Sequence, residues 1–284
     1  MRIGVFTFST DRDLSPAELA REVEARGLDA LLFTEHSHIP TSRTTPYPDV
    51  YGGGVLPDFY KRTYDPFVAC SFAAAATARI EVGTAICLLA LRDAVHAAKE
   101  IASIDHLSGG RFAFGVGFGW NEDEFATHRV PFRHRHAIVA EKVRLMKALW
   151  DEEVASFDGE HVQLQPSWSW PKPAQRPSPP VMLGGNGPLT MRHAARWADL
   201  WYPTTFANWG SPADAVAQFR AVVDSVGRDP AEVSVGLAPA AASEKDLCAY
   251  RDAGLARVDV IVMGGSRDEL LTALDGVVAA RDAM

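Results

Sequence analysis

Eight times along the chain, a short run of β-branched, aromatic or aliphatic residues leads through turn chemistry into an amphipathic stretch of helical length. This alternation constrains the fold more than any other feature, because parallel strands cannot be joined by tight hairpins and need crossover connections, usually helices. The strand runs are Ile3 to Phe8, Ala30 to Thr34, Ile80 to Ala85, Phe112 to Val116, Val181 to Leu183, Leu200 to Tyr202, Val233 to Leu237 and Val258 to Met263. Eight strand–helix pairs in 284 residues predict the α/β class and a single (β/α)8 TIM barrel spanning 1–284, since such a barrel takes about 250 residues.

Local signals support the same reading. Ser15-Pro16-Ala17-Glu18 and Ser266-Arg267-Asp268-Glu269 have the serine and glutamate spacing of capping boxes, and Pro16 suits a first helical turn. Gly27 and Gly254 stand where a helix must end before an apolar strand begins. Two segments interrupt the rhythm. Glu35 to Tyr64 follows the second strand and is rich in Pro, Gly, Tyr and Thr; in a barrel it forms a wall or cover at the catalytic face. Asp151 to Pro180, before the fifth strand, carries Trp168, Trp170 and six prolines, so it reads as a surface excursion without a regular helix.

A formal charge of −8, with no long basic run, argues against a nucleic-acid partner. Cys70, Cys87 and Cys248 are far apart and lack ligand-like spacing, so neither zinc nor a disulfide framework is expected. The N-terminus reads directly as a strand rather than as a signal peptide, and no uncharged stretch reaches the roughly 18 residues of a membrane span. A cytoplasmic protein is the expectation.

Glycine-rich points follow three strands: Gly115-Val116-Gly117-Phe118-Gly119, Gly184-Gly185-Asn186-Gly187 and Gly264-Gly265. Glycine lets backbone approach a ligand closely, and a helix N-terminus favours an anion. The second loop is the best phosphate candidate, because Pro188 can start a helix directly behind it, with Arg192, His193 and Arg196 on that helix. Glu35-His36-Ser37-His38 ends the second strand. With no matching ligand pair elsewhere, no metal site is expected; alternation aims Glu35 and His36 in opposite directions, so one of the two can face the barrel mouth as an acid/base or cofactor contact, the other reading being a histidine hydrogen-bonded at the barrel rim. Glu122, Asp123 and Glu124 open a helix and are read as complementing its dipole; His128, His134 and His136 with Arg129, Arg133 and Arg135 are read as a solvated surface segment. Neither a G-x-S-x-G elbow, a Walker loop nor a G-x-G-x-x-G fingerprint occurs.

Taken in order, Leu32 to Pro40, Arg79 to Ile86, Ile104 to Arg111, Gly115 to Trp120 and Val181 to Pro188 resemble the luciferase-like monooxygenase superfamily, and within it the coenzyme F420-dependent oxidoreductase branch. The resemblance implies a flavin or deazaflavin ring held in the barrel mouth, with a non-prolyl cis peptide at Ala85-Ile86 supporting it. It implies His36 as the catalytic imidazole facing the cofactor. The cofactor-binding set it implies is Phe8, His36, Ala85, Ile86, Gly117, Phe118, Gly119, Trp120, Gly184, Gly185, Asn186 and Gly187. The implied reaction is hydride transfer between F420 and a small organic substrate in a homodimer. An FMN-dependent monooxygenase and a non-catalytic flavin-binding barrel are the alternatives. Similar sugar-phosphate dehydrogenases carry an acidic proton donor after the Gly-x-Gly, where this chain has Trp120, so their reaction is not carried over.

Overall fold

In a computed structural model that describes residues 1–263 and 265–284, ten strands and nine α-helices succeed one another along the chain. They run β1 (Arg2–Thr7), α1 (Pro16–Ala25), β2 (Ala30–Phe33), α2 (Pro66–Ala76), β3 (Glu81–Thr84), α3 (Ala94–Ser108), β4 (Phe112–Val116), α4 (Glu122–Thr127) and α5 (Arg135–Asp151). Then come β5 (Ala155–Asp158), β6 (Gln163–Ser167), β7 (Val181–Gly184), α6 (Pro188–Trp197), β8 (Leu200–Tyr202), α7 (Pro212–Ser225), β9 (Ser234–Ala240), α8 (Glu244–Asp252), β10 (Arg257–Ile261) and α9 (Arg267–Asp282). Eight strands close in the order β1-β10-β9-β8-β7-β4-β3-β2, all pairs parallel. The (β/α)8 barrel expected from the alternation is the observed fold.

The strand runs fall on these eight strands with small shifts at their ends. Phe8 lies just beyond β1, and Ile80 and Ala85 flank β3. β9 runs past Pro239, which follows a cis peptide at Ala238-Pro239, and its register against β10 slips between Val258 and Val260. A proline has no N–H for the ladder and is tolerated where pairing is interrupted, which is why the chain stays extended beyond the point where the sequence pattern stops.

Most of the core lies between barrel and helices, where β-branched and aromatic side chains such as Val5, Phe33, Phe112 and Trp201 are fully enclosed. The helices are terminated as their sequences require: Ser15/Glu18 and Ser266/Glu269 form capping boxes, joined by Ser211/Asp214 on α7. Gly27 and Gly254 take φ of +66° and +82° beyond α1 and α8. The proline-rich excursion contains no α-helix; it holds the antiparallel pair β5–β6. Glu141 of α5 accepts N–H bonds from Glu160, His161 and Val162 in its turn. No helix among the described residues is long and apolar enough to cross a membrane.

Candidate active site

The C-terminal ends of the strands are organised around a kink at the end of β3. Ala85-Ile86 is a non-prolyl cis peptide. The Ala85 N–H donates to Phe33 O at 2.8 Å, and the Cys87 N–H to Gly115 O at 2.7 Å, so the kink is bonded to both neighbouring strands. Buried Glu35 secures the next residues: its carboxylate accepts the Leu88 N–H and the Arg92 Nε–H, each at 2.6 Å. Arg92 in turn bonds Asp65, the N-cap of α2, at 2.5 Å. Glu35 and His36 thus serve different sides of the strand end, as alternation predicts.

Ile86 explains two of the glycines. A Cβ on Gly117 would lie 2.1 Å from Ile86 Cδ1, and one on Gly184 2.9 Å from Ile86 Cγ2. Their small size makes room for the Ile86 side chain, a tighter constraint than the ligand approach inferred from the glycine spacing alone. Gly119, at φ +73°, turns the chain toward Trp120.

His36 is fixed by a residue that the sequence pattern reads only as a helix-dipole partner. Its Nδ1 lies 2.8 Å from Glu124 Oε2, and the other carboxylate oxygen accepts the Ser37 N–H at 3.2 Å. Glu124 is only 1% exposed. It stands in the first turn of α4, as a dipole partner would, but its carboxylate is turned inward against the β2 loop, a second role that the dipole reading leaves out. Asp123 serves a third purpose: hydroxyl and N–H bonds from Thr45 and Thr44 clamp the long insertion and hold its carboxyl down to about 2. A sequence signal for Glu124 did exist in its neighbour Phe125, which is buried and shows that this side of the short helix faces inward. Because an ionised carboxylate only accepts hydrogen bonds, the His36–Glu124 contact puts the hydrogen on Nδ1 and leaves Nε2 to the cavity.

The cavity has a volume of about 710 Å³. Phe6, Tyr202 and Ile261 form its base; Ala85, Ile86, Gly117, Phe118, Gly184 and Gly185 form one side. Phe8, His36, Trp120 and the insertion residues Tyr47, Phe59 and Tyr60 form another. Ten of the twelve residues expected at the cofactor thus meet on one cavity. Asn186 and Gly187 do not line it: the Asn186 amide and carbonyl bond Thr204 Oγ1 and N, each at 2.7 Å, and Gly187 caps α6. Of the third glycine pair, Gly264 lies outside the described residues; Met263 before it lines the cavity.

The basic segment also departs from a solvated surface. His128 and Arg133 are exposed, but Arg135 and His136 reach the cavity wall. The His136 ring packs 4.2 Å from Phe118 and is stacked 5.9 Å from His193 of α6. Burial, with Arg135 and His193 nearby, pushes His136 down to about 4, so it is neutral at pH 7. The Nε of Arg135 is buried without a hydrogen-bond partner among the described residues.

Beneath the cavity, Tyr202 donates its hydroxyl to Asp259 at 2.5 Å, and Asp259 receives a two-pronged bond from Arg257 at 2.8 and 2.9 Å. Arg257 also bonds Glu81. The sequence reading did not find this buried group, since single charged residues within strand runs give no periodic signal.

The family model for luciferase-like monooxygenases matches residues 1–265. An uncharacterized protein of Mycobacterium tuberculosis is 42% identical over 205 residues, covering 72% of each chain. An FMNH(2)-dependent dimethylsulfone monooxygenase of Pseudomonas putida is 34% identical over 133 residues, 46% of this chain and 34% of that one. Among solved structures, the coenzyme F420-dependent tetrahydromethanopterin reductase of Methanopyrus kandleri superposes with a TM-score of 0.71 at 15% identity, covering 97% of both chains, a likeness of fold alone. Relatives and fold neighbours thus include both F420- and FMN-dependent proteins, and the chain belongs to the luciferase-like monooxygenase family.

Proposed function

We propose that this protein is an oxidoreductase that transfers a hydride between coenzyme F420 and a small organic substrate. The observation that carries the reading is the His36–Glu124 pair, which presents one imidazole nitrogen to a cavity beside the Ala85-Ile86 kink. The residues present fit such a group. A cavity of about 710 Å³ is within the roughly 300–1,000 Å³ range of small-molecule sites. Arg135, on the cavity wall, supplies a positive charge for an anionic end.

Ala85, Ile86 and Gly117 would lie against the ring, with Phe118, Gly185 and Thr190 along its side chain. When bound, a deazaflavin supplies a two-electron hydride acceptor or donor. The chain's own contribution is orientation, exclusion of water and proton handling. His36 Nε2 takes the proton from a substrate hydroxyl or returns it, while Glu124 fixes the tautomer and the ring plane. Tyr60 and Trp120 pack against the imidazole, with Tyr47 behind them against both rings, and keep bulk water from it.

The likeness to the FMNH(2)-dependent monooxygenase favours a second reading, in which the same cavity takes reduced FMN and the reaction consumes oxygen. Separate titrations with F420 and FMN test the choice. The expected result is F420 binding with turnover that persists without oxygen; FMN binding with oxygen-dependent turnover overturns it. Binding of either without turnover across a substrate panel supports the non-catalytic barrel. A homodimer, implied by the family resemblance, is part of the proposal.

A further inference from the structure

The two ends of the cavity differ in kind, and the difference identifies the substrate. At the end beside α5 and α6 stand the cationic Arg135, neutral His136 and the polar Thr190. At the other end the insertion contributes Tyr47, Tyr51, Phe59 and Tyr60, which meet Phe8 and Trp120. Phe8 lies 4.5 Å from Phe59 and 4.9 Å from Tyr60, and Trp120 meets Tyr47 edge-on at 5.9 Å and Tyr60 at 6.2 Å.

The insertion's charges point elsewhere. Asp58 pairs with Lys61 at 2.5 Å and Arg62 at 2.6 Å on the surface, and Arg62 continues to Asp11. Glu35, the one carboxylate on the cavity wall among the described residues, already accepts from Arg92 and the Leu88 N–H. The side-chain polar groups left at the aromatic end include His36 Nε2, the Tyr51 hydroxyl, the Trp120 indole N–H and the Tyr47 and Tyr60 hydroxyls, the last two 3.2 Å apart; no Lys or Arg is among them. Burial and the Tyr47 hydroxyl push the Tyr60 phenol well up, so it remains a neutral hydroxyl.

We infer that the aromatic end binds a neutral alcohol or its ketone carrying an aromatic ring, the ring packed among Phe59, Tyr60 and Trp120 and the oxygen directed to His36 Nε2. A substrate carboxylate or phosphate would be desolvated there without a cation, a cost that a neutral compound escapes. An added ring gains from tilted and edge-to-face contacts with those already present. This inference rests on the proposed hydride transfer for its chemistry. An oxidised deazaflavin held in the mouth would accept the carbinol hydrogen with its electron pair as a hydride. The O–H proton passes to His36 Nε2, and the carbon–oxygen double bond of the ketone forms; ketone reduction is the reverse.

The test is a binding comparison by tryptophan fluorescence, with and without F420, using acetophenone and 1-phenylethanol against 4-acetylbenzoate and phenyl phosphate. Trp120→Phe identifies the signal that belongs to the site. The neutral pair is expected to bind about tenfold or more tightly than the anions, and Tyr51→Asp, on the exposed rim, is expected to weaken the neutral pair at least severalfold with an unchanged circular dichroism spectrum. Anions binding as tightly as acetophenone in both states, or neutral binding untouched by Tyr51→Asp, overturns the inference. Because binding is read apart from turnover, neutral selectivity without any F420 binding keeps the inference and removes the coenzyme reading; F420 binding without that selectivity does the reverse.

Discussion

Two buried carboxylates sit at opposite levels of the barrel, and their partners separate function from stability. At the mouth, Glu124 holds one nitrogen of His36 and leaves the other to a cavity. Lower down, Asp259 is fully enclosed and bonded on both oxygens by Arg257 and Tyr202, and Arg257 is shared further with Glu81. Glu81 also meets the exposed Arg2 at 2.7 Å, so this group runs from the cavity base toward the rim at the strand N-termini. A buried polar group with every valence occupied defines geometry; one with a valence left over toward a cavity can act on a ligand.

Removing one partner at the lower level should have the largest effect. Asp259→Ala leaves Arg257 with Glu81 alone and takes the acceptor from the Tyr202 hydroxyl, and is expected to cost about 3 kcal/mol, read as a lower denaturation midpoint. A near-native midpoint would show that water reaches Arg257 and would break the contrast. At the mouth the order reverses. His36→Gln should lower kcat by roughly a hundredfold or more while its denaturation midpoint stays close to native. Glu124→Gln keeps the shape and should give a smaller loss, about tenfold in kcat, with KM little changed; equal losses for the two variants would make Glu124 more than an orienting group.

Gly117→Ala sharpens the comparison from between the levels. Its Cβ would lie 2.1 Å from Ile86 Cδ1, so the Ile86 side chain must move, at an expected cost of about 1–3 kcal/mol. Cofactor affinity should fall with it; native affinity would remove Ala85-Ile86 from the ring platform.

The smallest effect is on pH dependence. His136 lies near 4 in the folded protein against 6.5 when unperturbed, so below pH 6.5 the unfolded chain takes up the proton first. Its contribution to stability is full above about pH 6.5 and is lost as pH falls toward 4. Chemical denaturation across that window should show a shallower loss in His136→Asn; identical slopes would mean that His136 is more solvated than its stacking on Phe118 and His193 implies.

Much of this architecture could be read from the chain because it rests on repeated local rules. The barrel followed from strand and helix periodicities, the helix ends from capping residues, and the mouth from glycine-rich strand ends; His36 and the Ala85-Ile86 peptide came through the family resemblance. Asn186 shows the limit of motif reading: it belongs to the glycine-rich loop in sequence but turns toward Thr204 rather than the cavity.

By itself the sequence determined the eight-unit barrel and the face on which its loops gather, since both are encoded in spacing along the chain, while the family likeness rests on matching motif residues in the right order. Only the tertiary structure decided that Glu124 pairs with His36 across 88 residues, that His136 stacks on His193, and that Asp259 and Arg257 lock the interior. A charged side chain carries no periodicity that distinguishes water from a partner. Its role appears only when the fold removes the water and leaves one neighbour within bonding distance.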